Sequence, residues 1–259
     1  MDVQANGITF NCQVDGPRGA PWLIFSNSLA TNLSMWEAQA RALSVRFQTL
    51  HYDQRGHGKT DAPEDRYAFA TLLTDVIALM DELEIGRAHF CGLSLGGATA
   101  LGVAEQHPDR IDRAIVCDSA CASTPASAKQ WEERIAVAKA DGMEALVEPT
   151  LQRWFPPEVY GANPPAVAKV REMVKSTPVN GFIGCCAALG DHNFRSAVAN
   201  VSRPVLFMVG EKDPPNGAMR EMNKELARSQ FVEIVGAGHI SNMEQPEMFT
   251  LALEKFLTA

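Results

Sequence analysis

At 259 residues, 46% of them hydrophobic and 21% charged, the chain has the size and composition of one large globular domain with a sizeable core. A net charge of −8 and a pI near 5.3 disfavour nucleic acid or an anionic membrane as partners held by bulk charge. No basic-then-apolar leader opens residues 1–6, and no stretch reaches the ~18 apolar residues of a membrane span. The six cysteines (12, 91, 117, 121, 185 and 186) lack metal-ligand spacing, which predicts reduced cysteines in a cytoplasmic protein and no metal site.

In chain order, residues 8–14 alternate like an edge strand, and 15–19 carry turn chemistry. Residues 22–25 form a continuous apolar run, as in a strand buried on both faces. A short amphipathic helix is predicted over 33–43 and a strand over 47–52. Leu72, Leu73, Val76, Ile77, Met80 and Leu83 then recur with helical spacing. Strand-like 88–91, helix-prone 98–104 and strand-like 111–117 continue a β/α alternation that predicts a mostly parallel, doubly wound sheet. The alternation stops at residues 121–199. Four helix-prone segments (126–141, 143–154, 166–176 and 182–189) lie there among seven prolines, and no strand run is present. This segment is predicted to be a helical lid, with residues 1–120 and 200–259 forming the core. Strand signal returns at 204–209 and 231–235, with helices at 218–228 and 244–257.

The motif with the most chemical content is Gly92-Leu93-Ser94-Leu95-Gly96. It joins a predicted strand to a predicted helix, the setting in which G-x-S-x-G is a nucleophile elbow. Such a turn leaves no room for side chains two residues either side of the serine. It raises the Ser94 hydroxyl above the sheet and aims the Leu95 N–H and the helix dipole at a developing oxyanion. A serine nucleophile needs a base, and the base an orienting acid. Asp213 follows the strand ending near Val209, and His239 the strand ending near Val235. The order serine, acid, histidine is therefore kept, each residue at the carboxyl end of a strand. Glu211 is the alternative acid. Of the other histidines, His57 falls in a turn, His51 and His89 in strands, His107 at a helix end and His192 in the lid, where it caps a helix or touches substrate.

A second oxyanion donor is expected from the loop Ser26-Asn27-Ser28-Leu29-Ala30-Thr31. The Leu29 N–H is the candidate, with Asn27 or Ser28 bracing the loop. Gly58-Lys59-Thr60 has the end of a phosphate-binding loop, but Asp53 replaces the required earlier glycine, which excludes that reading. The run from Asp53 to Gly58 is instead read as a structural turn with Arg55 paired locally.

These residues together resemble the α/β-hydrolase superfamily, through the Asp53–Gly58 run, the Ser94 elbow, Asp213 and His239-Ile240-Ser241-Asn242. Within it, the chain resembles the 3-oxoadipate enol-lactonases. That likeness lies in Ser26 to Leu29, Met35-Trp36, Trp131-Glu132-Glu133-Arg134, Gly142-Met143, Arg153-Trp154-Phe155 and Cys185 to Leu189. The resemblance implies hydrolysis of a small carboxylate-bearing enol-lactone in aromatic catabolism, with no metal or organic cofactor. Trp131, Met143 and Trp154 are read as walls of a dry pocket, with simple lid packing as the alternative, and His192 as touching substrate or capping a helix. Arg134 or Arg153 would meet the carboxylate. Two positions depart from the pattern: Ala30 stands where a glycine is expected, and Gly190 where an arginine often precedes Asp191.

Other hydrolases of this fold remain open: a general carboxylesterase, a perhydrolase or a carbon–carbon bond hydrolase. A non-catalytic small-molecule binding protein is the alternative of another class. Serine rather than aspartate at the elbow disfavours a dehalogenase. The sequence does not fix the oligomeric state.

Overall fold

The computed structural model describes residues 1–259, apart from the side chain of Ala197. The chain opens with β1 (Asp2–Ala5), β2 (Ile8–Asp15) and β3 (Trp22–Ser26). A 3₁₀ turn at Leu33–Trp36 leads into α1 (Glu37–Leu43), followed by β4 (Gln48–Tyr52) and α2 (Phe69–Glu82). Next come β5 (Ala88–Leu93), α3 (Leu95–Gln106) and β6 (Ile111–Cys117). Six helices then run without a strand between them: α4 (Pro125–Asp141), α5 (Glu144–Trp154), α6 (Pro157–Ala162), α7 (Pro165–Ser176), α8 (Val179–Asp191) and α9 (Arg195–Asn200). The chain closes with β7 (Val205–Gly210), α10 (Asn216–Glu225), β8 (Ser229–Ile234), α11 (Ser241–Glu244) and α12 (Pro246–Leu257).

All eight strands form one sheet in the order β1-β2-β4-β3-β5-β6-β7-β8. The pairs β1–β2 and β2–β4 are antiparallel, and the rest are parallel. Every residue of β5 and of β7 is buried, as parallel strands covered by helices on both faces must be. In α2, Leu72, Leu73, Val76 and Met80 of the predicted stripe are buried, Ile77 and Leu83 are only half-buried, and Leu79 joins the buried face instead. Helix α3 is buried nearly all round and built largely of Gly and Ala, so it packs close behind the elbow.

Three differences from the sequence reading stand out. Residues 8–14 are not at the sheet edge, because β1 pairs outside β2 through a hairpin at Asn6-Gly7. Both turn residues have positive φ (44° and 78°), the conformation of a two-residue hairpin turn. The single predicted helix over 33–43 begins as the 3₁₀ turn. The short helices α6 and α9 interrupt stretches predicted as loop. Six of the seven prolines between α4 and α8 cap or start helices, but Pro149 lies inside α5, which continues through it. No helix among the described residues is long and apolar enough to cross a membrane.

Candidate active site

Ser94 occupies the single residue between β5 and α3, with φ 58° and ψ −109°. A non-glycine residue held there is strained, and surrounding contacts must impose the conformation. The flanking glycines show how they do so. A Cβ on Gly92 would come within 1.9 Å of Gly96 O, and one on Gly96 within 2.3 Å of Ser26 O. The turn is thus pressed against itself and against the end of β3. Ser94 N–H donates to Cys117 O at 2.8 Å, and the Ser119 hydroxyl donates to Ser94 O at 2.9 Å.

Asp213 and His239 lie on the loops after β7 and β8, as predicted. The His239 Nδ1–H donates to both Asp213 oxygens, each at 3.0 Å. That bond fixes the tautomer and leaves Nε2 as an acceptor facing the cavity. Asp213 is buried, and Glu211 turns away to accept from Gly236 N–H. The His239 loop is fastened from two sides. Its N–H donates to Trp154 O at the end of α5 (2.7 Å), and the Trp154 ring lies 5.5 Å from the imidazole. From the other side the Glu244 carboxylate accepts from Gly238 and Ile240 N–H (3.0 and 3.2 Å). Burial pushes that carboxyl up to about 7. Ser94 and His239 line one cavity but form no hydrogen bond with each other among the described residues. Such bonds are often loose before substrate binds.

The loop of residues 26–31 carries the predicted second donor. Leu29 is 2% exposed and Leu95 fully buried, and neither backbone N–H has a partner among the described residues. Buried N–H groups without partners are rare, and each calls for an acceptor. Asn27 braces the loop as expected: its side-chain N–H groups donate to Ser28 O and Thr31 O, and its Oδ1 accepts from Gln54 N–H. The Ser28 hydroxyl finds no partner among the described residues. A further brace was not read from sequence: the Ala30 N–H donates to His57 Nε2 at 3.0 Å. Ala30 has φ 56°, which explains why glycine is the expected residue there.

Around Ser94 the cavity measures about 250 Å³, just below the usual range for small ligands, about 300–1,000 Å³. Trp131, Arg153, Trp154 and His192 are on its wall. His192 also caps α8, with its ring nitrogens at 2.8 Å from Leu189 O and 3.2 Å from Ala120 O. Met143 is not on the wall. It is buried at the start of α5, carried out of reach by the turn at Gly142 that folds α5 back onto α4. Arg134 also lies off the wall, behind Trp131, and donates to Thr150 Oγ1. The guanidinium groups of Arg134 and Arg153 each sit 5.5 Å from the Trp131 ring centre.

Neither arginine holds a carboxylate among the described residues. Burial lowers the pKa of both. For Arg153 the fall, to about 10, is deepened by the neighbouring Arg134 charge and partly offset by Asp213. Arg153 is nonetheless exposed, on the wall of the cavity. Arg55 does not pair locally: it forms a buried two-pronged ion pair with Asp75 of α2.

A family model for the alpha/beta hydrolase fold matches residues 21–160. A 3-oxoadipate enol-lactonase from Acinetobacter baylyi is 36% identical over 98% of this chain and 93% of its own. The crystal structure of an enol-lactonase from Burkholderia xenovorans LB400 superposes with a TM-score of 0.96, at 37% identity and full coverage of both chains. A thermophilic esterase from Thermogutta terrifontis, solved with malate bound, gives 0.93 at 25% identity, covering 100% and 97%. The fold, the strand-end placement of the three polar side chains and these likenesses agree: the chain belongs to the α/β-hydrolase family, with 3-oxoadipate enol-lactonases among its relatives.

Proposed function

We propose that the protein hydrolyses a small carboxylate-bearing enol-lactone of the 3-oxoadipate type through an acyl-enzyme on Ser94. The observation that carries this reading is one cavity in which Ser94 and the Asp213-held His239 meet Arg153, a cation without a carboxylate partner. In a chain of net charge −8, an anionic substrate needs such a local cation.

As Ser94 attacks the lactone carbonyl, His239 Nε2 takes its proton and Asp213 stabilises the imidazolium. The orphan N–H groups of Leu29 and Leu95 receive the oxyanion, each worth about 3 kcal/mol to the barrier. Collapse of the intermediate breaks the ring C–O bond. The enolate leaves, remaining tethered through the acyl chain, and takes the proton from the His239 imidazolium to become the ketone, which leaves His239 neutral again. Water activated by His239 then frees the acid. Trp131, Trp154 and His192 wall the cavity, Arg153 takes the carboxylate, and Arg134 supports it from behind Trp131. Residues 121–199 serve as the lid, with residues 1–120 and 200–259 as the core.

The test is a substrate panel run beside Ser94→Ala. The enol-lactone should be turned over well above p-nitrophenyl esters, and Ser94→Ala should lose several orders of magnitude in kcat with unchanged folding. A preference for simple esters would make the protein a carboxylesterase. An active Ser94→Ala protein would remove the mechanism altogether.

A further inference from the structure

The turn after β6 touches all three catalytic loops. Cys117 O and the Ser119 hydroxyl hold the elbow from either side, and Asp118 lies between them. Asp118 has φ 48° and is 1% exposed. Its backbone N–H donates to Met208 O of β7 at 2.9 Å. Its Oδ1 accepts from Gly210 N–H, at the end of β7, at 2.7 Å. Its Oδ2 accepts from the hydroxyl of Ser241, two residues beyond His239. Gly210 ties the two acids together: its N–H donates to Asp118 Oδ1, its carbonyl accepts the Asp213 N–H at 3.1 Å, and both acidic residues line the wall of the Ser94 cavity.

Two neighbouring buried carboxyl groups resist ionising together. The titratable groups around Asp118 are Asp213 on the β7 loop, His239 on the β8 loop and Cys117 on its own strand. Arg153 and Glu244 act on Asp213 from α5 and α11. No cation contacts Asp118 among the described residues, whereas Asp213 faces the imidazole. Burial, and then the Asp213 charge, hold the Asp118 carboxyl well above the usual range.

We infer that Asp118 is a positioning residue, a neutral carboxylic acid whose O–H donates to Asp213 and fixes the plane of the carboxylate that orients His239. The inference rests on Asp213 being the acid of the triad. With the proton on Asp118, the pair bears one negative charge, and that charge sits on the oxygens facing the base.

The test compares Asp118→Ala with Asp118→Asn, which keeps a donor toward Asp213 and an acceptor toward Gly210. Asp118→Ala should lose about 10- to 100-fold in kcat, the range for one hydrogen bond to a charged group, with KM little changed. Asp118→Asn should restore most of that loss. Infrared difference spectra at neutral pH should show a protonated-carboxyl C=O band in the wild type that is missing in Asp118→Asn. The inference is overturned if no such band disappears, or if the asparagine variant is as impaired as the alanine variant. The spectrum decides the question even if Asp118→Ala does not fold. Asp213→Asn is the separate control: full activity in it would sink the triad assignment, whatever Asp118 does.

Discussion

Replacing His57 with glutamine should flatten the acid side of the stability profile. The imidazole is fully buried, and its Nε2 accepts the Ala30 N–H, so the proton sits on Nδ1, 3.1 Å from Arg55 O. A second proton would set two N–H groups against each other in a dry site. Burial accordingly lowers its pKa from 6.5 to about 4. Between those values the unfolded chain binds more proton than the folded one. The stabilisation is therefore complete above pH 6.5 and is lost as pH falls toward 4, a difference of about 3 kcal/mol. Urea unfolding from pH 7.5 to 4.5 measures this directly. Wild type should lose more stability over that interval than His57→Gln, by up to about 3 kcal/mol. His89 and His192, also lowered by burial, act with the same sign in both proteins. Glu244, raised to about 7, acts with the opposite sign in both: its contribution fades as pH rises toward 7. These terms cancel in the comparison. Parallel profiles for the two proteins would refute the argument that His57 is held neutral by the loop it supports.

Arg153→Leu should raise KM for a carboxylate-bearing lactone about 10- to 100-fold while leaving turnover of its methyl ester nearly unchanged, as steady-state kinetics on both substrates would show. Gly96→Ala would drive a Cβ to within 2.3 Å of Ser26 O, so a loss of about 1–3 kcal/mol in thermal unfolding and a marked fall in kcat are expected. Asn27→Ala removes three hydrogen bonds from the loop bearing the Leu29 N–H. It should reduce kcat more than it raises KM, and a purely KM effect would contradict the placement of that donor.

The parts of the site legible in the sequence were those tied to local geometry. Ser94, Asp213 and His239 could be placed because each lies just past an apolar strand run, and strand ends are where this architecture gathers its polar groups. The hairpin of β1 was missed, although Asn6-Gly7 is a turn signal, because four residues make a weak apolar pattern. Contacts made only by the tertiary fold left no such signal. Arg55 finds Asp75 twenty positions away on another element. Met143 has the composition of a pocket residue, yet a glycine turn directs it into the helical layer. Asp118 follows an apolar strand like many surface aspartates, and only the convergence of β6, β7 and the His239 loop makes it a buried acid.

The fastening of His239 to Trp154 restricts how such a protein can change its substrate. Gly238 is packed so closely beneath the end of α5 that a Cβ there would lie 2.3 Å from Trp154 O and 2.9 Å from Pro156. The end of α5 is therefore tied directly to the loop that carries the base. A graft of a foreign helical segment would carry off the acceptor that seats the base. New specificities on this scaffold are more accessible through side chains that hang into the cavity, such as Trp131 and Arg153, than through exchange of the helices that bear them.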